Sequence, residues 1–121
     1  MNMFEQEKTE EDSSETDIVK ELEARIVKHF LDVVVLAEIK NKSGLGGYDI
    51  IVLVHKKFGT LMSSGTVYSV LYAIERKGWV KGISDGRRTG YVLTEKGEEA
   101  LSAIQKSRKE LVDFMRTFFS F

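Results

Sequence analysis

At 121 residues, 31% of them charged and 42% hydrophobic, the chain is sized for one domain with a single modest core. It contains no cysteine, which excludes a disulfide framework, a thiol nucleophile and a cysteine-ligated zinc site. The net charge of −1 is unevenly spread: residues 1–17 carry −6, so the remaining 104 carry +5, an asymmetry that points toward a nucleic-acid partner.

Residues 1–16 are acidic and poor in large apolar groups, and read as a disordered tail. No secretion signal is expected there. The longest apolar run, Val33 to Ala37, is far too short to span a bilayer, so a soluble, cytoplasmic, nucleoid-associated protein is expected.

The spacing predicts a long helix from Ile18 to about Lys40, capped by Thr16 or Asp17, with Ile18, Leu22, Ile26, Phe30, Val33, Leu36, Ala37 and Ile39 on its stripe. Its second half is apolar nearly all round, which calls for burial among several helices. Asn41 to Gly47 is a loop; with no strand before it and no Gly-Lys-Ser/Thr after it, a nucleotide phosphate loop is not indicated. Tyr48 to Phe58 reads as a second helix with Ile50, Ile51, Leu53 and Val54 inward and Lys56 and Lys57 near its end, where cations suit the dipole. Gly59 stops it, and Gly59 to Ser63 make a short turn into a third helix, the helix-turn-helix arrangement.

That third helix, about 63–77, organises the chain. Val67, Val70, Leu71 and Ile74 form its apolar face, Ser63 or Ser64 supplies an N-cap, and Gly78 a C-terminal stop. The opposite face holds Ser64, Thr66, Tyr68, Ser69, Tyr72 and Arg76, with no carboxylate until Glu75. Hydroxyls, rings and a cation without acids suit an anionic, hydrogen-bonding partner such as double-stranded DNA. Next, Trp79 to Ile83 and Gly90 to Leu93 are β-rich and flank an Asp85-Gly86 turn signal, giving a hairpin over about 79–93 with Arg87 and Arg88 at its tip, a wing. Trp79 is expected in the core beneath it. Thr94 caps a last helix running to the C-terminus, on which Leu101, Ile104, Arg108, Leu111, Met115 and Phe118 follow heptad spacing. So apolar a helix needs cover, and a symmetric homodimer through Leu101, Ile104, Leu111, Met115 and Phe118, with Ile18 and Leu22 of the first helix, is the simplest.

The expected DNA-contacting set is Ser63, Ser64, Thr66, Tyr68, Ser69, Tyr72, Arg76, Lys42, Lys81, Arg87 and Arg88. Neither His29 nor His55 has a second ligand at metal-binding spacing, so no metal or other cofactor is expected. No Ser-His-Asp arrangement, carboxylate pair or nucleotide loop supports an enzyme.

Gly47-Tyr48-Asp49-Ile50-Ile51, then Ser64-Gly65-Thr66-Val67-Tyr68 with Leu71, Ile74-Glu75 and Lys77-Gly78, then Tyr91-Val92-Leu93-Thr94-Glu95-Lys96-Gly97 resemble the PadR-like winged-helix transcriptional regulators. The small archaeal Lrs-type repressors look closest, since their recognition helix also reads Gly-Thr-Val-Tyr-Ser followed by Leu-Tyr. The resemblance spans roughly Phe30 to Leu101. It implies a mainly α fold with a two-stranded wing, a winged helix-turn-helix unit over 17–94 and a dimerisation helix over 95–121. It further implies Ser64, Thr66 and Tyr68 on DNA at the start of the recognition helix, which would enter a major groove. The wing would reach the neighbouring backbone or minor groove. A homodimer on a palindromic operator, acting as a repressor with no small-molecule effector, completes the expectation. Ser63-Ser64-Gly65 stands where Ser-Pro-Gly is frequent, so the helix entry is less rigid. A non-specific architectural DNA binder and a winged-helix protein-interaction module are the competing classes.

Overall fold

The computed structural model describes the chain from residue 3 and its side chains from residue 15. Of the tail expected over 1–16, the backbone from Met3 belongs to the first helix, residues 1 and 2 lie outside the described residues, and the only described side chains, Glu15 and Thr16, are exposed. The order is α1 (Met3–His29), α2 (Leu31–Asn41), α3 (Gly47–Phe58), α4 (Ser64–Arg76), β1 (Val80–Ser84), β2 (Thr89–Leu93), α5 (Glu95–Lys106) and α6 (Arg108–Phe118). The fold is mainly α with a small antiparallel wing.

The expected single helix over Ile18 to Lys40 is two helices. The break is at Phe30, whose φ of −107° and ψ of 24° leave the helical region. Two apolar stripes of different facing explain it: Val27 closes the buried face of α1, and Leu31, Val35, Leu36 and Ile39 make the buried face of α2. One straight helix could not bury both, and Phe30 remains half exposed at the corner. Asp32 sits in the first turn of α2, where a carboxylate complements the dipole. Thr16 and Asp17 are not a cap, because α1 runs through them.

α2 is the hub, touching α1, α3, α4, α5 and β2. Its buried residues pack with Ile50 and Val54 of α3, Val67, Leu71 and Ile74 of α4, Val80 and Tyr91 of the wing, and Leu101 of α5. Ile51, Leu53, Val70 and Trp79 line the edge of this core. The wing pairs Val80 with Leu93 through Ser84 with Thr89, and an extra bridge between Leu45 and Tyr91 ties the loop before α3 to its outer edge.

The expected single C-terminal helix is also interrupted, at Ser107, whose N–H is shared between the carbonyls of Ala103 and Ile104, both at 3.2 Å. Such shared bonds are common where a helix ends. Leu101, expected on the dimer seam, is instead buried in this chain's own core. The core stops there: α6 buries none of its residues.

Candidate nucleic-acid interface

Gly59, with φ of 68°, ends α3 in the left-handed conformation that glycine adopts without strain. Met62 is buried beneath the turn, and Ser63 caps α4 by accepting the Thr66 N–H at 3.1 Å. The Ser63 hydroxyl also donates to Thr66 Oγ1 at 2.9 Å. Ser63 is thus occupied in shaping the helix start, and Thr66 keeps its own hydroxyl proton to donate. No acid lies in the first turn of α4, and Ser64 and Gly65 at its start are exposed.

Along α4 the exposed side chains are Ser64, Tyr68, Ser69, Tyr72, Glu75 and Arg76, with Thr66 half-buried. The Tyr68 and Tyr72 rings lie 6.2 Å apart and tilted by 38°. Tyr68 rests directly on Gly47 at the start of α3: a Cβ there would come within 2.5 Å of Tyr68 Cζ. A bare backbone at position 47 is therefore what lets α3 and α4 approach with a tyrosine between them. Tyr48 beside it is 73% exposed. Burial first, and then the Glu75 carboxylate, push the Tyr91 hydroxyl above its ordinary pKa.

Three polar ties fix the wing against this surface. Glu75 of α4 accepts the Gly82 N–H of β1 at 2.7 Å. Tyr91 of β2 exchanges backbone bonds with the loop, donating to Leu45 O at 2.8 Å and accepting from Gly44 N at 2.9 Å. Arg88 Nη2 donates to Gly44 O at 2.8 Å and to Asp49 Oδ2 at 3.1 Å. The tip is a side-chain-closed turn, in which Asp85 Oδ1 accepts the N–H groups of both Arg87 and Arg88 at 3.0 Å.

Those two N–H groups, with the Arg88 charge, hold the Asp85 carboxyl below its usual value of 3.8. A carboxylate lowered by folding contributes order above its unfolded pKa and loses it as pH falls through the folded one. The Arg87 and Arg88 amide resonances should therefore shift together as Asp85 protonates, with a common midpoint below pH 3.8. An NMR titration with its midpoint above that value would remove the turn as the cause.

Of the expected site, Ser64, Tyr68, Ser69, Tyr72, Arg76, Lys42, Lys81 and Arg87 are exposed. None of Lys42, Arg76, Lys81 and Arg87 has a carboxylate partner among the described residues. Ser63 is spent on capping and Arg88 on the ties to Gly44 and Asp49. Gly47 beneath Tyr68, Asp49 holding Arg88 and Glu75 holding the wing support this surface and were not expected in it. For Asp49 a signal existed, an acid three residues after Gly46 at a helix start, where it accepts the Gly46 N–H at 2.8 Å. Among the described residues no group of three His, Asp or Glu could hold a metal ion, and no helix is long and apolar enough to cross a membrane.

A family model described as the transcriptional regulator PadR-like family matches residues 35–103, more than half of the chain. No curated protein matches by sequence. Similar solved structures include a PadR family transcription regulator from Clostridium difficile, with TM-score 0.65 and 23% identity over 75% of this chain and 99% of that one. A PadR family transcriptional regulator from Eggerthella lenta gives a TM-score of 0.68 at 19% identity, covering 89% of this chain and 97% of that one. F-93 of the archaeal virus SSV1 gives 0.53 at 24%, covering 69% and 90%. At these identities the structures speak for the fold.

Proposed function

The chain belongs to the PadR-like family of transcriptional regulators, which are DNA-binding proteins rather than enzymes, and from that premise we propose a sequence-specific repressor that binds a palindromic operator as a homodimer. The observation that carries the reading is the exposed face of α4. It presents hydroxyls, two tyrosine rings and Arg76, and it is locked to a wing by Glu75 and Gly82. In this reading α4 lies in the major groove, its first-turn N–H groups with Ser64 and Thr66 meeting phosphate, and Tyr68, Ser69 and Tyr72 near base edges. The helix-turn-helix unit spans 17–94 and residues 95–121 join two copies. The exposed apolar side chains of α6, Leu111, Val112, Phe114 and Phe118, support that pairing, as do Ile18, Val19 and Leu22 of α1.

Lys42, Arg76, Lys81 and Arg87 give four phosphate-binding cations per subunit. A dimer with that set should show a log–log salt slope of about −7. Fluorescence titration of an operator selected by the purified protein, against a scrambled duplex, tests the reading. A regulator prefers its operator by about 10³-fold or more. Equal affinity for both duplexes would make the protein an architectural binder, and binding to neither would make it a protein-interaction module.

A further inference from the structure

The two wing arginines are neighbours in sequence, but they are held differently. The Arg87 guanidinium has no partner among the described residues, whereas Arg88 spends one nitrogen on two acceptors from outside the wing. Both acceptors are themselves placed by other bonds. Gly44 donates its N–H to Tyr91 O at 2.9 Å, and the Asp49 oxygen that receives Arg88 also accepts the Gly46 N–H at 2.8 Å. One carboxylate oxygen thus joins the start of α3, the loop before it and the wing. Gly46 marks the crossing. Its φ of −92° needs no glycine, yet it is buried where a Cβ would lie 3.2 Å from Thr89 O and 3.5 Å from Arg88 Nη2. A side chain would enter the space through which the wing and its arginine reach the loop.

The geometry points to Arg88 as a positioning residue that sets the wing against α3 through Asp49, and to Arg87 alone as the tip's phosphate-contacting cation. The inference rests on the DNA-binding reading for the second half of that statement only. The position of the wing is a property of the free protein. Arg88 and Asp49 are 57% and 43% exposed, so their attraction is modest. What the pair determines is where Arg87 and Lys81 stand relative to α4, and with them the second contact of a helix-and-wing grip. Asp49 also makes a distinctive demand on electrostatics. A bare carboxylate on a DNA-facing surface repels phosphate, so removing it should tighten binding unless its hold on Arg88 matters more.

The test uses the full chain, a fluorescein-labelled duplex of mixed sequence, and the variants Arg87→Ala, Arg88→Ala and Asp49→Asn, each measured where it is fully folded. Asparagine keeps an acceptor for the Gly46 N–H, so the start of α3 is retained. Without DNA, Arg88→Ala should speed hydrogen exchange at the Gly44 and Tyr91 amides by about fivefold, the upper range for an exposed ion pair, and Arg87→Ala should leave it unchanged. With DNA, Arg87→Ala should reduce the salt slope by about 2 for two subunits. Arg88→Ala should weaken binding by about fivefold with the slope intact, because a displaced wing loses alignment and not an ion contact. Asp49→Asn should also weaken binding despite the lost negative charge, and combining it with Arg88→Ala should add little. A slope reduced as much by Arg88→Ala as by Arg87→Ala overturns the assignment, as does tighter binding by Asp49→Asn. Unchanged exchange in Arg88→Ala overturns the positioning role by itself. Should the unmodified protein show no salt-dependent affinity for the duplex, the DNA-binding reading fails, while the exchange result still decides what Arg88 does.

Discussion

Gly97→Ala is expected to destabilise the protein by about 3 kcal/mol, at the upper end for overpacking, and to lower the melting temperature by on the order of 10 °C. A Cβ on Gly97 would land on the Trp79 carbonyl oxygen, with the Trp79 carbonyl carbon only 2.9 Å away and its Cα 3.2 Å away. The obstacle is backbone and cannot rotate aside. The Trp79 N–H is held by Ile74 O at 2.9 Å, and its carbonyl accepts the Thr94 N–H at 3.1 Å. Thr94 then caps α5 by accepting the Gly97 N–H at 3.1 Å, and its hydroxyl donates to Gly78 O. The Leu-Thr-Glu-Lys-Gly run is thus a joint: its threonine ties the end of α4 to the start of α5, and its glycine lets the two backbones touch. Gly65→Ala is the matched control, since nothing lies within 4 Å of its Cβ position and it is helical. It should be neutral or stabilising by about 0.5 kcal/mol. Thermal denaturation followed by circular dichroism separates the two, and equal shifts would show that the close approach at Gly97 is not what forbids a side chain.

Met115→Glu is expected to convert the proposed dimer to monomers and to weaken operator binding by about 10²-fold or more, as the second recognition unit ceases to be tethered. Met115 is half-buried within α6, while Phe114 and Phe118 around it make an edge-to-face ring pair with centroids 5.8 Å apart, and Phe118 is 63% exposed. A carboxylate placed among those rings would lose its hydration on pairing without gaining a partner. The monomer itself should stay folded, because α6 buries nothing and the core ends at Leu101. Sedimentation equilibrium reads the first effect and the titration the second. An intact dimer would move the interface away from α6, and a monomer with undiminished affinity would show that pairing does not contribute to DNA binding.

The recognition helix was legible because its apolar face follows one clean period and it carries no acid before Glu75 in its last turn. The wing was legible from Asp85-Gly86 between two β-rich runs. Two helix breaks were not. Apolar spacing continues across Phe30, so a one-residue change of direction leaves no trace in the period, and the same holds at Ser107. The hydroxyl, tyrosine and cation set at the site followed from residue type, but the ties that aim it did not. Glu75 meets Gly82 seven residues on, and Arg88 meets Asp49 and Gly44 39 and 44 residues back. Such partners are chosen by tertiary approach. Sequence reasoning consequently treated Arg87 and Arg88 as equivalent, and it read Gly47 as the end of a loop, although it opens α3 and is the floor beneath Tyr68.

The loop bond at Tyr91 and the Glu75 bond at Gly82 also bear on solubility. A two-stranded ribbon normally leaves two rows of open amides and carbonyls on which another molecule's strand can template. Here the middle of each row is already taken, one by Gly44 and Leu45, the other by the Glu75 carboxylate. With five residues per strand and both midpoints engaged, the hairpin leaves only short runs of open edge on either side for pairing with another molecule's strand.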